Sequence, residues 1–189
     1  MKTEDAINKR TSVREFSNKP VKFEIIMNAI ESANQAPFAG NINNLKFIII
    51  EKKENKNSIA EFSQQYWVLD AQWIVVVCSE YKKLERLYHE RAEIYARQQA
   101  GAAIENMLLN LSSNNLGACW VGAFAEHEIK VRLKIPKEWN IEAIIPIGYP
   151  KLRAIRKKRK LDIENNIFWE KWNESSKPRK YPHKDPDTN

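Results

Sequence analysis

Glycine is scarce in this chain: five residues in 189, where about 7% is usual. Cysteine is scarcer. Cys78 and Cys119 are the only two, both in apolar stretches, which excludes a disulfide framework and a cysteine-based zinc site. The three histidines, His89, His127 and His183, stand at no metal-ligand spacing, and His89-Glu90 lacks the second histidine of a zinc-peptidase helix. No metal is therefore expected. No run of about 18 apolar residues occurs, so no transmembrane helix is expected. The polar start, Met1-Lys2-Thr3-Glu4-Asp5, lacks the apolar core of a secretory signal, and the cytoplasm is the expected compartment. The chain also has no GxSxG elbow, no Walker A loop and no GxGxxG turn. Cys119 beside Trp120 has no evident cationic neighbour to lower its pKa and reads as a strand residue rather than a nucleophile. With no evident acid, base or nucleophile, any catalysis would rest on a cofactor.

What is present suits one globular domain with a C-terminal arm. Net charge is +7, but residues 151–189 hold 12 Lys/Arg against six Asp/Glu, while residues 1–150 hold 19 against 18. The body is nearly neutral and the basicity local. That argues against a whole-surface nucleic-acid binder and fits a local phosphate site. A binding module using residues 151–160 and the tail is the rival from another class, and its affinity would fall steeply with salt.

The chain reads as mixed α/β. Thr3 is a candidate cap for a helix running to about Arg10, with Glu4 and Asp5 in its first turn. Ile25, Ile26, Ala29, Ile30 and Ala33 repeat at helical spacing. Leu45 to Glu51 and Trp73 to Cys78 read as buried strands, with a polar helix around 56–65 between them. Residues 83–113 predict helix with a break. Ala96, Ala100, Ala103, Met107 and Leu111 form a small apolar stripe there, open to close helix approach. Ala118 to Ala123 predicts a third strand, 127–134 a short helix and Glu142 to Ile147 a fourth strand. Residues 151–160 carry seven cations in ten. Ile167, Phe168, Trp169 and Trp172 follow, an apolar patch expected to pack on the body or a partner subunit. The last stretch is polar, with three prolines, and is expected to be extended or disordered.

Two clusters carry candidate chemistry. Arg10-Thr11-Ser12-Val13-Arg14 brackets two hydroxyls with two forked cations, a set suited to phosphate or carbonyl oxygens. Ala36-Pro37-Phe38-Ala39-Gly40-Asn41 is a loop whose backbone groups and Asn41 amide suit a polar heterocycle.

These pieces in order, namely RTSVR, APFAGN, the helix QQAGAAIENMLL, NNLGACWVGAF, IPIGYP and a basic segment, resemble the nitroreductase family of FMN-dependent oxidoreductases over about residues 5–160. GACWVGAF followed by IGYP is the most specific part. The resemblance implies an α+β fold with a mostly antiparallel central sheet flanked by helices. It implies an intertwined homodimer with FMN sites at the interface. An FMN-binding domain over 1–160 and an arm over 161–189 that wraps the partner would follow, and the long Ala/Gly-bearing helix would be a dimer-core helix. It assigns Arg10, Thr11, Ser12 and Arg14 to the cofactor's phosphate, ribityl chain and ring oxygens, Thr11 mainly through its backbone. Pro37, Phe38, Ala39 and Asn41 would belong to a loop reaching FMN from the other subunit. Trp120, Val121 and Gly122 would form the strand beside the isoalloxazine. Lys157 and Arg159 would hold the phosphate, and Gln64 or Gln65 would reach the pyrimidine edge.

By that resemblance NAD(P)H would pass hydride to the flavin N5, and a planar acceptor (a nitroaromatic, a quinone or free flavin) would then take its place. No protein catalytic residue is implied. The alternatives are reductive dehalogenation or flavin fragmentation on the same fold, or a flavin-binding protein without turnover. Three departures from the family pattern stand out. Phe38 replaces a usual serine, and so would narrow the pocket or offer a stacking surface. Asn43-Asn44-Leu45 stands where Gln-Pro-Trp is frequent. Gln99 stands where an acid is common.

Overall fold

The computed structural model describes residues 2–151 and 163–175. The chain falls into two compact units, Met1–Arg156 and Lys157–Asn189. In the first, apolar strand sequences assemble one four-stranded sheet. β1 (Leu45–Ile50), β2 (Trp73–Ser79), β3 (Gly117–Ala118) and β4 (Asn140–Gly148) lie in the order β1-β2-β4-β3. Every neighbouring pair is antiparallel, as the α+β expectation requires.

Side chains alternate across a strand, and both faces of the central pair are covered. Val75, Val77, Ala143, Ile145 and Ile147 pack against α2 (Phe23–Asn34) and α5 (Ala92–Ser113). Ile74, Val76, Cys78 and Ile144 pack with Ile59 and Ala60 of α3 (Lys53–Ser63) and Ile129 of α6 (Glu126–Leu133). Two-sided burial explains why β2 and β4 read as continuous apolar runs rather than alternating ones. Ile141 joins the second face because the register shifts between Val77 and Cys78, where a bulge inserts one extra residue.

Three local features differ from the sequence expectation. Lys2, not Thr3, occupies the N-cap of α1 (Thr3–Lys9), and its backbone N–H donates to Asp5 Oδ2 at 3.3 Å. The break in the long helical segment separates α4 (Lys82–Tyr88) from α5, at His89, which has a positive φ of 44°. The third strand is a two-residue ladder followed by one bridge, Val121 to Ile144.

Proline explains the last of these. The register Gly117↔Gly148, Ala118↔Ile147 and Val121↔Ile144 sets Cys119 opposite Pro146. Val121 and Ile144 exchange both backbone bonds at 3.0 Å, so the residue two along β4 is due to donate to the same neighbour. That residue is Pro146, which has no N–H. The ladder lapses there.

The small-residue stripe of α5 is buried inside the protomer. Ala96, Ala100, Ala103, Met107 and Leu111 are all buried, the last four of them in the core with α2 and the sheet. The stripe therefore packs against this chain's own elements. In the C-terminal unit, a turn at Ile163–Asn166 precedes Phe168 and Trp172, whose rings lie 4.9 Å apart.

Glu126 ties α6 to β4. Its Oε1 accepts from Ile141 N–H at 2.9 Å and from Lys130 Nζ at 2.7 Å. Burial pushes its carboxyl up, but these bonds and the charges of Lys130 and Arg97 hold it below the ordinary carboxylate range. A carboxylate with a depressed folded pKa stabilises the fold above its unfolded pKa and loses that contribution as pH falls through the folded one. Urea unfolding of the wild type and Glu126→Gln across pH should therefore show a stability gap at pH 7 that narrows as pH falls below the ordinary carboxylate range.

Candidate functional site

Gly117 is where the N-terminal segment meets the sheet. A Cβ there would lie 2.8 Å from Cβ and both Cγ atoms of Val13, closer than packed carbons tolerate. The missing side chain lets the segment after α1 lie flat on the sheet edge. Val13 N–H donates to Ala118 O at 3.0 Å, and Ser12 bridges Ala118 in parallel. The extended segment thus carries Ser12 and Arg14 alongside Ala118-Cys119-Trp120, with Arg10 and Thr11 just before them. Val13 itself is buried with Phe16 and Ala71, so the alternate residues Ser12 and Arg14 are left exposed.

The two arginines are held differently. Arg10 Nε pairs with Glu105 Oε1 of α5 at 3.1 Å. The Arg14 guanidinium lies 5.9 Å from the Trp67 ring centroid, and no carboxylate among the described residues is within ion-pair distance of it. Cys119 Sγ donates to Trp120 O at 3.8 Å. Burial raises the Cys119 thiol above its ordinary pKa, and Arg14 and Ser12 only partly offset this. Cys78 is pushed up to about 12, chiefly by burial. Both cysteines are free and buried.

Trp120 is 41% exposed. Its indole edge passes 3.9 Å from the position of a Cβ on Gly101, so it lies across α5. Val121 is buried and Gly122 exposed. The segment Ser12–Arg14 and the segment Trp120–Gly122 are thereby brought together, with α5 beneath.

The loop after α2 reaches a different stretch of α5. Pro37 and Ala39 line a cavity of about 220 Å³ with Tyr95, Gln98, Gln99 and Ala102. Phe38 is half-buried and packs against the core. Gly40 and Asn41 both adopt positive φ, 59° and 56°, and Asn41 is exposed. Gln99 accepts from Ala39 N–H through Oε1 at 3.1 Å and donates through Nε2 to Ile42 O at 3.3 Å and to Asn44 Oδ1. Gln64 caps α3 with positive φ, and Gln65 Oε1 accepts from Trp67 Nε1 at 2.6 Å. Lys157 and Arg159 lie outside the described residues.

The family model described as the nitroreductase family matches residues 7–64 and 57–149. The chain belongs to the nitroreductase family. Among its relatives, an iodotyrosine deiodinase of Thermotoga neapolitana is 24% identical over 162 residues, covering 77% of this chain and 87% of the relative. An FMN reductase (NAD(P)H) of Bacillus subtilis is 26% identical over 163 residues, covering 78% and 66%. The fold matches the NADPH:FMN oxidoreductase of Vibrio harveyi complexed with NAD+ at a TM-score of 0.81 and 19% identity, over 91% of this chain and 78% of that one.

Several contacts that shape this nitroreductase-family site escaped sequence reasoning. Glu105 pairs with Arg10 across 95 positions, and periodicity marks it only as helix surface. Gln99 stood out only as a departure. Gly117 did carry a signal, since scarce glycines mark places where backbones approach closely. Replacing Gly117 with alanine should force residues 12–14 off the sheet edge and destabilise the protein by about 1–3 kcal/mol. Chemical denaturation would register the loss, and retention of wild-type stability would show that Val13 yields freely.

Proposed function

We propose that this chain binds FMN and uses it to carry electrons from NAD(P)H to a planar acceptor, a nitroaromatic, a quinone or free flavin. The observation that supports this most is the hydrogen bond pinning Val13 to Ala118. It sets a guanidinium and a hydroxyl beside an exposed indole on a strand whose ladder has lapsed. The donors present suit the group: forked cations fit phosphate and ring oxygens, and a neutral hydroxyl fits a ribityl chain. When bound, FMN supplies the hydride chemistry that no side chain here can supply.

In this reading Arg14 is free to grip the cofactor because no described carboxylate neutralises it. Arg10 is aimed by Glu105, which fixes its rotamer before any ligand arrives. Ser12 bonds through its hydroxyl, and Thr11 contributes backbone. Trp120, Val121 and Gly122 form the wall beside the ring system. Pro37, Phe38, Ala39 and Asn41 approach from a second copy of the chain, so the working unit is a homodimer. Lys157 and Arg159 would complete the phosphate grip, with the arm over 161–189 wrapping the partner. Cations near the pyrimidine edge favour the negative charge that the reduced ring system acquires. Among the described residues, no helix is long and apolar enough to cross a membrane.

A second reading, reductive dehalogenation on the same cofactor, is favoured by the deiodinase relative. Iodide release from an iodinated phenol under anaerobic reducing conditions would distinguish it from turnover with nitroaromatics.

Purified protein should show a flavin absorbance band that bleaches with NADPH or NADH in the absence of oxygen. A band that resists both would leave a flavin-binding protein without this turnover. No band, even after FMN is added, would overturn the reading. Arg14→Ala should weaken FMN by about 10- to 100-fold, the range for one charged hydrogen bond. Unchanged flavin affinity would remove Arg14 from the site.

A further inference from the structure

Gln99 is 4% exposed and sits in the middle of a directional hydrogen-bond chain. Its direction is set at the far end. Asn44, 1% exposed, donates through Nδ2 to Glu80 O at 2.7 Å. A backbone carbonyl only accepts, so Asn44 must present its amide nitrogen there and its oxygen to Gln99. That oxygen requires a donor, so Gln99 must present Nε2 to Asn44. Gln99 Oε1 is then left facing the loop, where it takes Ala39 N–H. Nε2 also donates to Ile42 O. One buried amide thus fixes three points of the 39–44 loop, and the end of β2 dictates which way round it lies.

We propose that Gln99 is the positioning residue for the Pro37–Asn41 loop, and that its orientation sets how firmly that loop holds the cofactor. This rests on the reading above, in which the loop contacts FMN. The loop needs such a restraint. Gly40 and Asn41 are both in the left-handed region, which favours glycine and tolerates asparagine, and Asn41 is exposed. A loop free to relax from that shape would lose its alignment before a ligand reached it.

The chain of amides makes a specific demand. A glutamate at 99, when ionised, has acceptors only. It would keep Ala39 N–H but face Ile42 O and Asn44 Oδ1 with like polarity. Once protonated, it regains one O–H donor, enough to satisfy one of the two oxygens that the amide serves. The Gln99→Glu defect should therefore be relieved in part by acid. The loop 37–44 itself carries no titratable group. Glu80 with its partner Lys83, and the phenols of Tyr81, Tyr88 and Tyr95 in the adjoining cluster, are shared with the wild type. Dividing by the wild-type affinity at each pH removes their titration and that of FMN itself.

The test is FMN affinity of the wild type, Gln99→Glu and Gln99→Met from pH 5.5 to 8.5, with thermal stability measured alongside. At pH 8, Gln99→Glu should bind FMN about tenfold more weakly than wild type, the scale of one unsatisfied buried group. The ratio should return toward one as pH falls. Gln99→Met, of similar length but without the amide, should stay weak at every pH. Amide exchange of Ala39 in flavin-free protein should be slow in the wild type and fast in Gln99→Met. A flat ratio near one for Gln99→Glu, or faster Ala39 exchange with unchanged FMN affinity in Gln99→Met, would overturn the role of Gln99. Wild-type protein that takes up no FMN would instead overturn the functional reading, and this proposal with it.

Discussion

Val13 occupies the space that a side chain on residue 117 would fill. Because Gly117 leaves that space open, the segment after α1 lies within backbone bonding distance of β3, and one N–H···O bond from Val13 to Ala118 holds it there. The placement of the arginine segment follows from this approach. With alternate residues pointing to opposite sides, burying Val13 obliges Ser12 and Arg14 to face outward beside Trp120. A bulkier residue at 117 would move two cations and a hydroxyl together, not one at a time.

Helix α5 is the common support of both halves. Gly101 lies under the Trp120 indole, and Glu105, one turn later, aims Arg10. Gln99 and Gln98 face the loop after α2. Its remaining stripe is committed to the core of the same protomer. A single rigid element therefore sets the spacing between the arginine segment and the loop clamp within one chain. Gln99 and Asn44, two of the positions where this chain departs from the family pattern, are bonded to each other. The departures are coupled rather than independent.

Much of the fold was legible because it is written in local periodicity. The apolar runs at 45–51, 73–78 and 142–147 became β1, β2 and β4 with ends shifted by one or two residues. The break before α5 fell within the predicted helical segment, at His89. What failed depended on partners far along the chain. The third strand was cut short by Pro146, a residue on β4 that a local reading of 118–123 does not see. The small-residue stripe was legible as a stripe, but spacing alone does not say which surface it meets. At the site, the residue types were visible. The pairings of Arg10 with Glu105 and of Gln99 with Asn44 were not, because each joins segments that only the folded sheet brings together.

The two buried thiols have a consequence for the life of a flavoprotein in air. A reduced flavin that meets dioxygen yields hydrogen peroxide, and the residues nearest its source are the first exposed to it. Peroxide oxidises thiolates far faster than thiols. Cys119, in the middle of the proposed site, and Cys78, deep in the sheet, are both held in the protonated form by burial. On the flavin reading, the burial that disfavours the thiolate at both cysteines would also slow their oxidation by that peroxide.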